Sequence, residues 1–565
     1  MKSRTSARRG RNWTSLGAAV TVLALTAPAG YARTHATPAA VSPARLLLTN
    51  AAEEYGQLLS LFAEFREFSQ QDAGGDLAGY AASMATRLDT LRQFQSGLAA
   101  LDVSDWPVSE QVDYHLVRGE MNGLEFSLRV MRSWERDPGF YNLWRAGLRD
   151  LPALPLDEAA EVALARTLRS VPRYFEIAKA NLGAGEIANI AGDFALLTLR
   201  NMQPAADELA EYLARLAQQQ PSLATDAAAA GDAVQRYLEW LTANLDVMTA
   251  SAGVGLDNYN WLLKNVYLFP YTWEESRTIV HMEDNRVVTF LRLEQNRNRD
   301  VPALQPVTSQ TEYRQNVLEA LDTIDAFIRE QEIYTVPEYL VDDEYRRHRL
   351  EATSGPWPEK HDYFYVFSHR ETLMEETHEM IGHHYDLLRQ QNGSHPIRNA
   401  REHEGPYSQS VARWEGLAFA YEELLMHAGY LDGRSPHGRE IVYEQAAFRT
   451  VRALSDLYMH AGEWDIGEAF EYSIENAPYG ERLRGTNHLW AEVADTNLRM
   501  VGWHTQMVVG KVQFMKLLRD RSQQLGDAFV LKDFMDEFYA LGALPMSLIR
   551  WEMTGYDDEI KKLMQ

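Results

Sequence analysis

The sequence contains no cysteine among its 565 residues. Disulfides and lipid groups on a cysteine side chain are therefore excluded, and the fold must be held by its core alone. The chain is also poor in basic residues, with 55 Lys and Arg against 80 Asp and Glu and a formal net charge of −25. This charge argues against binding to a nucleic acid backbone or to an anionic membrane surface.

Long apolar runs are scarce, and the best candidate lies near the N-terminus. A basic segment, residues 2–11, precedes an apolar stretch from Leu16 to Ala27 that is short and Ala-rich for a membrane anchor. Small residues follow around Ala32, as at a cleavage site. Residues 1–36 are therefore predicted to be a signal peptide. We expect a periplasmic or secreted bacterial protein that has no stable membrane insertion after cleavage.

Patterns typical of β-strands are also scarce, and Tyr363 to Phe367 is the best short candidate. Apolar residues instead recur at spacings of three and four, interrupted by Pro and Gly. Thr272, followed by Trp-Glu-Glu, predicts a capped helix that runs to about Arg297. We expect a mainly α-helical protein with an N-terminal helical region, 37–270, and a C-terminal helical region, 271–565.

The C-terminal region carries a cluster of histidines. Residues 378–384 read His-Glu-Met-Ile-Gly-His-His, and Glu415 opens a second predicted helix farther along the chain. Two imidazoles and one carboxylate are a common ligand set for zinc and leave a coordination position open. The sequence therefore predicts a Zn²⁺ site held by His378, His383 and Glu415. The alternative is a solvated helix face that carries these residues without binding a metal.

The spacing of the histidines is irregular for an α-helix. In the zinc motif H-E-x-x-H the second His comes four residues after the first, on the same face, but residue 382 is Gly here. At about 100° per residue, His383 would lie roughly 140° around the axis from His378. A π-bulge near Gly382 would bring His383 back to the same face. If His384 were the ligand instead, the helix would have to break at Gly382, so we favour His383.

Two glutamates have predicted roles beside these ligands. Glu379 follows His378 directly and is the candidate general base. Glu422 lies seven residues after Glu415 on the same helix face, where it could hold a ligating imidazole. The alternative for Glu422 is an exposed carboxylate without a role.

A third segment supplies a candidate donor to a developing oxyanion. His460 is the predicted donor, and Asp456 lies four residues before it, where it could orient the ring in support of the site. The alternative is an Asp–His pair with a purely structural role.

These motifs resemble, in the same order, those of the bacterial family called domain of unknown function 885. That family has H-E-x-x-P-G-H-H, then E-G-W-A-x-Y-x-E, then R-x-x-R-x-x-x-D-x-G-x-H-x-x-x-W. The matching stretches here are 378–384, 415–422 and 456–464, and the similarity covers roughly residues 270–550. The chain lacks the family's Pro before Gly382, has Leu417 in place of Trp, and has Met507 where a later motif has Tyr.

The family is similar in turn to helical zinc metallopeptidases such as angiotensin-converting enzyme, thimet oligopeptidase and carboxypeptidase Taq. The resemblance implies a large helical fold with a deep central cleft, the zinc ligands named above, Glu379 as base and His460 as a transition-state or substrate contact. We expect an exported zinc peptidase that acts on short peptides. The alternatives are an amidase or carboxypeptidase on cell-wall or other non-protein amides, and a catalytically impaired metal- or peptide-binding protein, which the loss of the Tyr phenol would favour.

Overall fold

The structure is a computed structural model that describes residues 51–70, 79–340, 343–352, 357, 363–399, 407 and 410–565. The predicted signal peptide, residues 1–36, lies outside these residues. Within them the regular structure is helical, and the only β-type pairing is an isolated bridge between Ala191 and Ala250. The expected mainly α-helical fold is confirmed.

The described part of the N-terminal region forms eight α-helices: α1 (Ala51–Gln70), α2 (Tyr80–Ala99), α3 (Val108–Phe126), α4 (Ser133–Arg136), α5 (Glu158–Asn181), α6 (Gly192–Gln219), α7 (Ala224–Asn244) and α8 (Leu256–Asn265). A π-helical segment, Ser127–Met131, extends α3. Short 3-10 turns lie at Pro138–Tyr141, Leu182–Gly185, Ile187–Asn189, Pro221–Leu223 and Leu245–Val247.

The described part of the C-terminal region forms fourteen further α-helices: α9 (Trp273–Arg297), α10 (Gln310–Glu330), α11 (Asp343–Ala352), α12 (Tyr365–Ser368), α13 (Thr372–Glu376), α14 (Tyr385–Asn392), α15 (Val411–His427), α16 (His437–Ala461), α17 (Ile466–Asn476), α18 (Thr496–Arg499), α19 (Trp503–Leu525), α20 (Leu531–Ala540), α21 (Met546–Thr554) and α22 (Asp558–Met564). π-Helical segments lie at Thr377–His384 and Leu489–Asp495, and 3-10 turns at Glu338–Leu340, Gly480–Arg482 and Gly526–Ala528.

The start of α9 agrees with the sequence prediction. The Thr272 hydroxyl accepts a hydrogen bond from the Glu275 backbone N–H at 3.2 Å, and the Glu275 carboxylate accepts one from the Thr272 N–H at 2.9 Å. This reciprocal pair satisfies two amide groups that the first turn of a helix leaves without partners. The helix ends at Arg297, as predicted.

The best short candidate for a strand, Tyr363 to Phe367, does not form one, because α12 begins at Tyr365. Tyr363 lies in the turn that precedes α12, and its ring lies 5.2 Å from that of Phe367. Tyr363 also packs 4.7 Å from the ring of Phe448 on α16. The aromatic residues that suggested a pleated strand therefore serve packing against a helix.

Helix α16 lies in the interior, since all of its side chains from Glu440 to Leu457 are buried. A helix that is buried on every face runs through the core, and its charged residues need partners there. Buried apolar residues from Leu58 to Leu563 form one hydrophobic cluster that draws on both predicted regions. The boundary at residue 270 stays a prediction. None of the described helices is both long enough and apolar enough to span a membrane.

Candidate metal centre

The two candidate histidine ligands lie on π-helical backbone. In the segment Thr377–His384 and its continuation into α14, the Tyr385 N–H bonds to the Met380 carbonyl five residues earlier. Residues five apart share a face in this geometry, and the Nε2 atoms of His378 and His383 lie 3.0 Å apart. The predicted i→i+5 distortion is confirmed, and it extends over eight residues.

Gly382 lets this π segment lie directly against α15. A Cβ atom at residue 382 would lie 2.4 Å from the Cβ of Ala418 and 2.7 Å from its Cα, so any side chain would force the two segments apart. On α15 itself, a Cβ atom at Gly416 would lie 2.7 Å from the Cα of Gly510, which brings α15 equally close to α19. These close approaches fix Glu415 beside the histidines.

The three predicted ligands converge on one point. Glu415 Oε2 lies 3.6 Å from His378 Nε2 and 3.8 Å from His383 Nε2. Ligand atoms at about 2.0–2.1 Å from a tetrahedral zinc lie about 3.3–3.4 Å apart, close to these separations. Glu415 is 2% exposed, and its Oε2 makes no hydrogen bond among the described residues. A buried carboxylate oxygen without a donor is costly, so these residues fit a cation.

Glu422 supports His378 at the other ring nitrogen. His378 Nδ1 lies 2.7 Å from Glu422 Oε1, and Arg449 donates to the two Glu422 oxygens at 2.6 and 2.9 Å. Because a carboxylate only accepts, Nδ1 carries the proton and Nε2 keeps its lone pair for a ligand. Glu422 is buried, which excludes the exposed carboxylate considered as its alternative.

The charged groups of the cluster shift one another's pKa. Burial lowers the pKa of His378, but the carboxylates of Glu415 and Glu422 outweigh burial and raise this pKa to about 9. Burial raises the pKa of Glu415, but His383, His378 and Arg449 outweigh it and lower this pKa to about 2. At neutral pH the metal-free cluster therefore holds a proton that an incoming cation must displace.

A cavity of about 90 Å³ lies beside the cluster, and Glu379 is part of its wall. The Glu379 side chain is half-buried and makes no hydrogen bond to another described residue, and burial raises its pKa. A carboxylate with these properties suits a general base. The cavity is smaller than the roughly 300–1,000 Å³ of typical ligand pockets, and the deep cleft stays a prediction.

His384 does not turn towards the cluster. Its ring stacks on Tyr345 with the centroids 4.4 Å apart and an angle of 25° between the planes. The backbone stays helical through Gly382, so the break that a His384 ligand would require does not occur. The geometry therefore favours His383 as the partner of His378.

The pair at Asp456 and His460 lies elsewhere, and neither residue lines this cavity. Asp456 accepts hydrogen bonds at 2.8–3.3 Å from two backbone amides and two hydroxyls, which belong to Gly502, Thr505 and Tyr259. His460 Nε2 donates to the Asn497 carbonyl at 2.8 Å, and burial lowers the pKa of His460 to about 4. This placement corrects the two predicted roles: the sealed, neutral imidazole is out of reach of a substrate, and Asp456 supports the start of α19.

Comparisons with known families and solved structures show the family and the fold of the chain. The family model described as bacterial protein of unknown function (DUF885) matches residues 76–553. The chain belongs to this family. Two solved structures resemble this DUF885 protein at 15% identity and a TM-score of 0.64, which shows a shared fold.

The first of these structures is described as "a putative lipoprotein of unknown function" from Shewanella oneidensis, and the match covers 90% of this chain and 100% of that one. The second is described as "the putative lipoprotein" from Colwellia psychrerythraea, and the match covers 89% of this chain and 99% of that one. No curated protein matches the chain.

Three charged residues of the DUF885 site were missed in the sequence. Arg449, Arg452 and Glu492 all line the cavity, and Arg452 donates to Glu492 at 2.5 Å. The signal for the arginines was the family's R-x-x-R pattern, since residues three apart share a helix face. Glu492 lies on the π-helical segment Leu489–Asp495, and no sequence pattern marked it.

Proposed function

We propose that this DUF885 protein is an exported zinc-dependent peptidase that hydrolyses short peptides. One observation carries the proposal: ligand atoms of His378, His383 and Glu415 all lie within 4.8 Å of one another, beside a cavity that Glu379 lines. Two imidazoles and a carboxylate suit zinc among the common divalent metals.

Each residue of the site has a distinct task in this proposal. Zinc held by the three ligands would polarise a substrate carbonyl and make a water molecule more acidic. Glu379 takes a proton from the attacking water and passes it to the leaving amine. Gln445 is buried in the cavity wall and makes no hydrogen bond to another described residue, so its amide N–H is available to the developing oxyanion.

A second candidate function rests on Met507. This residue lines the cavity, and a thioether cannot donate the hydrogen bond of the tyrosine that the family pattern has there. Loss of that donor favours a catalytically impaired protein that binds metal or peptide. We prefer the peptidase because Gln445 offers a replacement donor in the same cavity. An amidase or carboxypeptidase acting on a cell-wall amide would use the same residues on a different leaving group.

The proposed substrate class follows from burial and charge. His378 is 8% exposed and Glu415 is 2% exposed, so only an extended or flexible chain could present a carbonyl to them. The net charge of −25 disfavours nucleic acid as a partner. Export is supported by the signal-like residues 1–36 and by two structural neighbours whose descriptions read "putative lipoprotein", although this chain has no cysteine to carry a lipid.

Metal analysis followed by a peptide-library digest tests the proposal. Protein purified without added metal should contain one zinc per chain, and mass spectrometry should find cleaved peptides that are absent from a Glu379→Gln digest. Release of non-peptide amides alone would favour the amidase. Zinc with bound but uncleaved peptides would favour the binding protein, and a chain that binds no divalent metal would overturn the peptidase and the amidase.

A further inference from the structure

A second cavity, of about 570 Å³, shares no lining residue with the cavity at the metal cluster. Its walls come from α14 and the segment that follows it, from α15, from α20 and the two residues that follow it, and from residues 335–339. Three arginines contribute to them: Arg389, Arg398 and Arg413. Its volume falls within the roughly 300–1,000 Å³ of sites that bind small molecules.

Two of the three arginines already have carboxylate partners. Arg398 donates to Asp113 at 2.7 Å and to Glu552 at 3.2 Å. Arg413, which is 1% exposed, pairs closely with Asp386. Their charges are thus balanced within the protein and leave little attraction for an anion.

Arg389 differs from both of them. Its two terminal nitrogens are buried and make no hydrogen bond, and it has no ion pair with any described residue. Its guanidinium lies 3.8 Å from the ring centroid of Tyr539 and 4.7 Å from that of Tyr334, and these rings hold it in place. The Asp386 carboxylate stabilises this charge without accepting a hydrogen bond from it, and buried N–H groups without an acceptor are costly, so a carboxylate ligand would remove this cost.

Two other buried polar atoms in the wall also have no hydrogen bond partner among the described residues. Gln390 is 2% exposed, and its Nε2 donates to Asp386 at 2.7 Å, which leaves Oε1 as an acceptor without a donor. The Nε–H of Arg413 is a donor without an acceptor. The wall therefore offers one guanidinium whose terminal N–H groups have no acceptor, together with one acceptor and one further donor.

We propose that this second cavity binds a small molecule with a single carboxylate group and a nearby hydrogen-bond donor. The carboxylate pairs with Arg389, and the donor bonds to Gln390 Oε1. One carboxylate matches the one guanidinium whose terminal N–H groups lack an acceptor, and a planar fork of N–H groups suits a carboxylate. A hydroxy acid and the C-terminal end of a short peptide both have this chemistry.

Calorimetric titration of the full chain after treatment with a chelator tests the proposal, because removing divalent metal separates it from the proposed peptidase. The probes are lactate, alanyl-alanine, acetate and, as the uncharged control, acetamide. Lactate and alanyl-alanine should bind more tightly than acetate, and acetamide should not bind. Tighter binding of lactate would indicate a hydroxy acid as the ligand, and tighter binding of alanyl-alanine would indicate the C-terminal end of a peptide.

Two variants locate the binding. Arg389→Gln should weaken binding of both preferred probes by about tenfold or more, and Arg92→Gln, at an exposed arginine on α2, should not change it. Ala540→Trp fills the cavity from an exposed position and should also weaken binding, whereas Ala229→Trp on α7 is its neutral control. If Arg389→Gln does not fold, the affinity of Ala540→Trp for the probes tests whether they bind in this cavity. Wild-type affinity in Ala540→Trp, or carboxylates that bind no better than acetamide, would overturn the proposal.

Discussion

The cluster at His378 and the pair at Asp456 are both buried groups of acidic and imidazole side chains, but their hydrogen bonds differ. Asp456 accepts bonds from two backbone amides and two hydroxyls, and His460 donates to a carbonyl. At the other cluster, Glu415 Oε2 makes no hydrogen bond among the described residues, and it lies opposite the imidazole nitrogens of His378 and His383.

This difference separates a structural role from a binding role. The Asp456 carboxylate is satisfied by the protein itself. Although His460 Nδ1 makes no hydrogen bond among the described residues, no other buried imidazole or carboxylate oxygen of these residues is turned towards it, so the pair stabilises the junction between α16 and α19 without a ligand. The groups around His378 are turned towards one another and towards a cavity, and a cation would satisfy them. Sequence spacing alone could not distinguish the two, because both pairs lie close together along a helix.

The largest expected effect comes from removing one imidazole in each cluster. His378→Ala should abolish zinc binding, since two remaining ligands rarely hold the metal. His460→Ala should keep full zinc occupancy but lose about 2–4 kcal/mol of stability, because it leaves a cavity and an unpaired carbonyl in the core. Elemental analysis and chemical unfolding measure the two outcomes. Full occupancy in His378→Ala would remove the metal assignment.

Glu379→Gln should lower peptidase activity by roughly 10²-fold or more while zinc stays bound. The amide has nearly the shape of the carboxylate but cannot take a proton from water. Glu463→Gln, at an exposed position, is the control and should leave both turnover and zinc content unchanged. Unchanged turnover in Glu379→Gln would exclude this residue as the base.

Zinc affinity should rise about tenfold per pH unit from pH 6 towards pH 9. The pKa of His378 in the metal-free protein is about 9, so the imidazole is protonated below that value and zinc must displace its proton. Glu415, with a pKa of about 2, is already ionised in this range, and His460, with a pKa of about 4, is already neutral. Competition titrations with a coloured chelator measure the slope. A flat profile would contradict the proton that we assign to His378.

Glu422→Gln should weaken zinc binding by about 10–100-fold, since an amide holds the His378 Nδ1–H less strongly than a carboxylate does. Asp456→Asn is the matched change in the other cluster. It should lower stability, because an amide has one acceptor oxygen in place of two, but it should not change zinc affinity. Equal effects of the two variants on zinc affinity would show that the clusters are not independent.

Much of the fold and part of the site could be predicted from the sequence. The spacing of apolar residues predicted the helices, and Thr272 predicted the start of α9, because both depend on neighbours along the chain. The five-residue interval from His378 to His383 predicted the π-helical backbone for the same reason. The role of His460 could not be predicted, because it depends on Asn497, 37 residues away in the chain. Glu492 was missed for the same reason: only tertiary packing brings it to Arg452.

The smallest expected effect concerns the two glycines that position the clusters. Gly382→Ala should cost about 1–3 kcal/mol and weaken zinc binding, because its Cβ atom would push α15, and Glu415 with it, away from the histidines. The double change Gly382→Ala with Ala418→Gly should recover part of the zinc affinity, since it removes the Cβ atom at 2.4 Å but leaves the Cα atom of residue 418 at 2.7 Å. Gly502→Ala should also destabilise the protein, because residue 502 has φ of +80° and donates its N–H to Asp456. Ala418→Gly should not rescue that change, and zinc affinity should stay at the wild-type value. Zinc titration and thermal unfolding of the four variants would show whether close packing or backbone conformation fixes each cluster. A double variant that binds zinc no better than Gly382→Ala would contradict the packing role of Gly382.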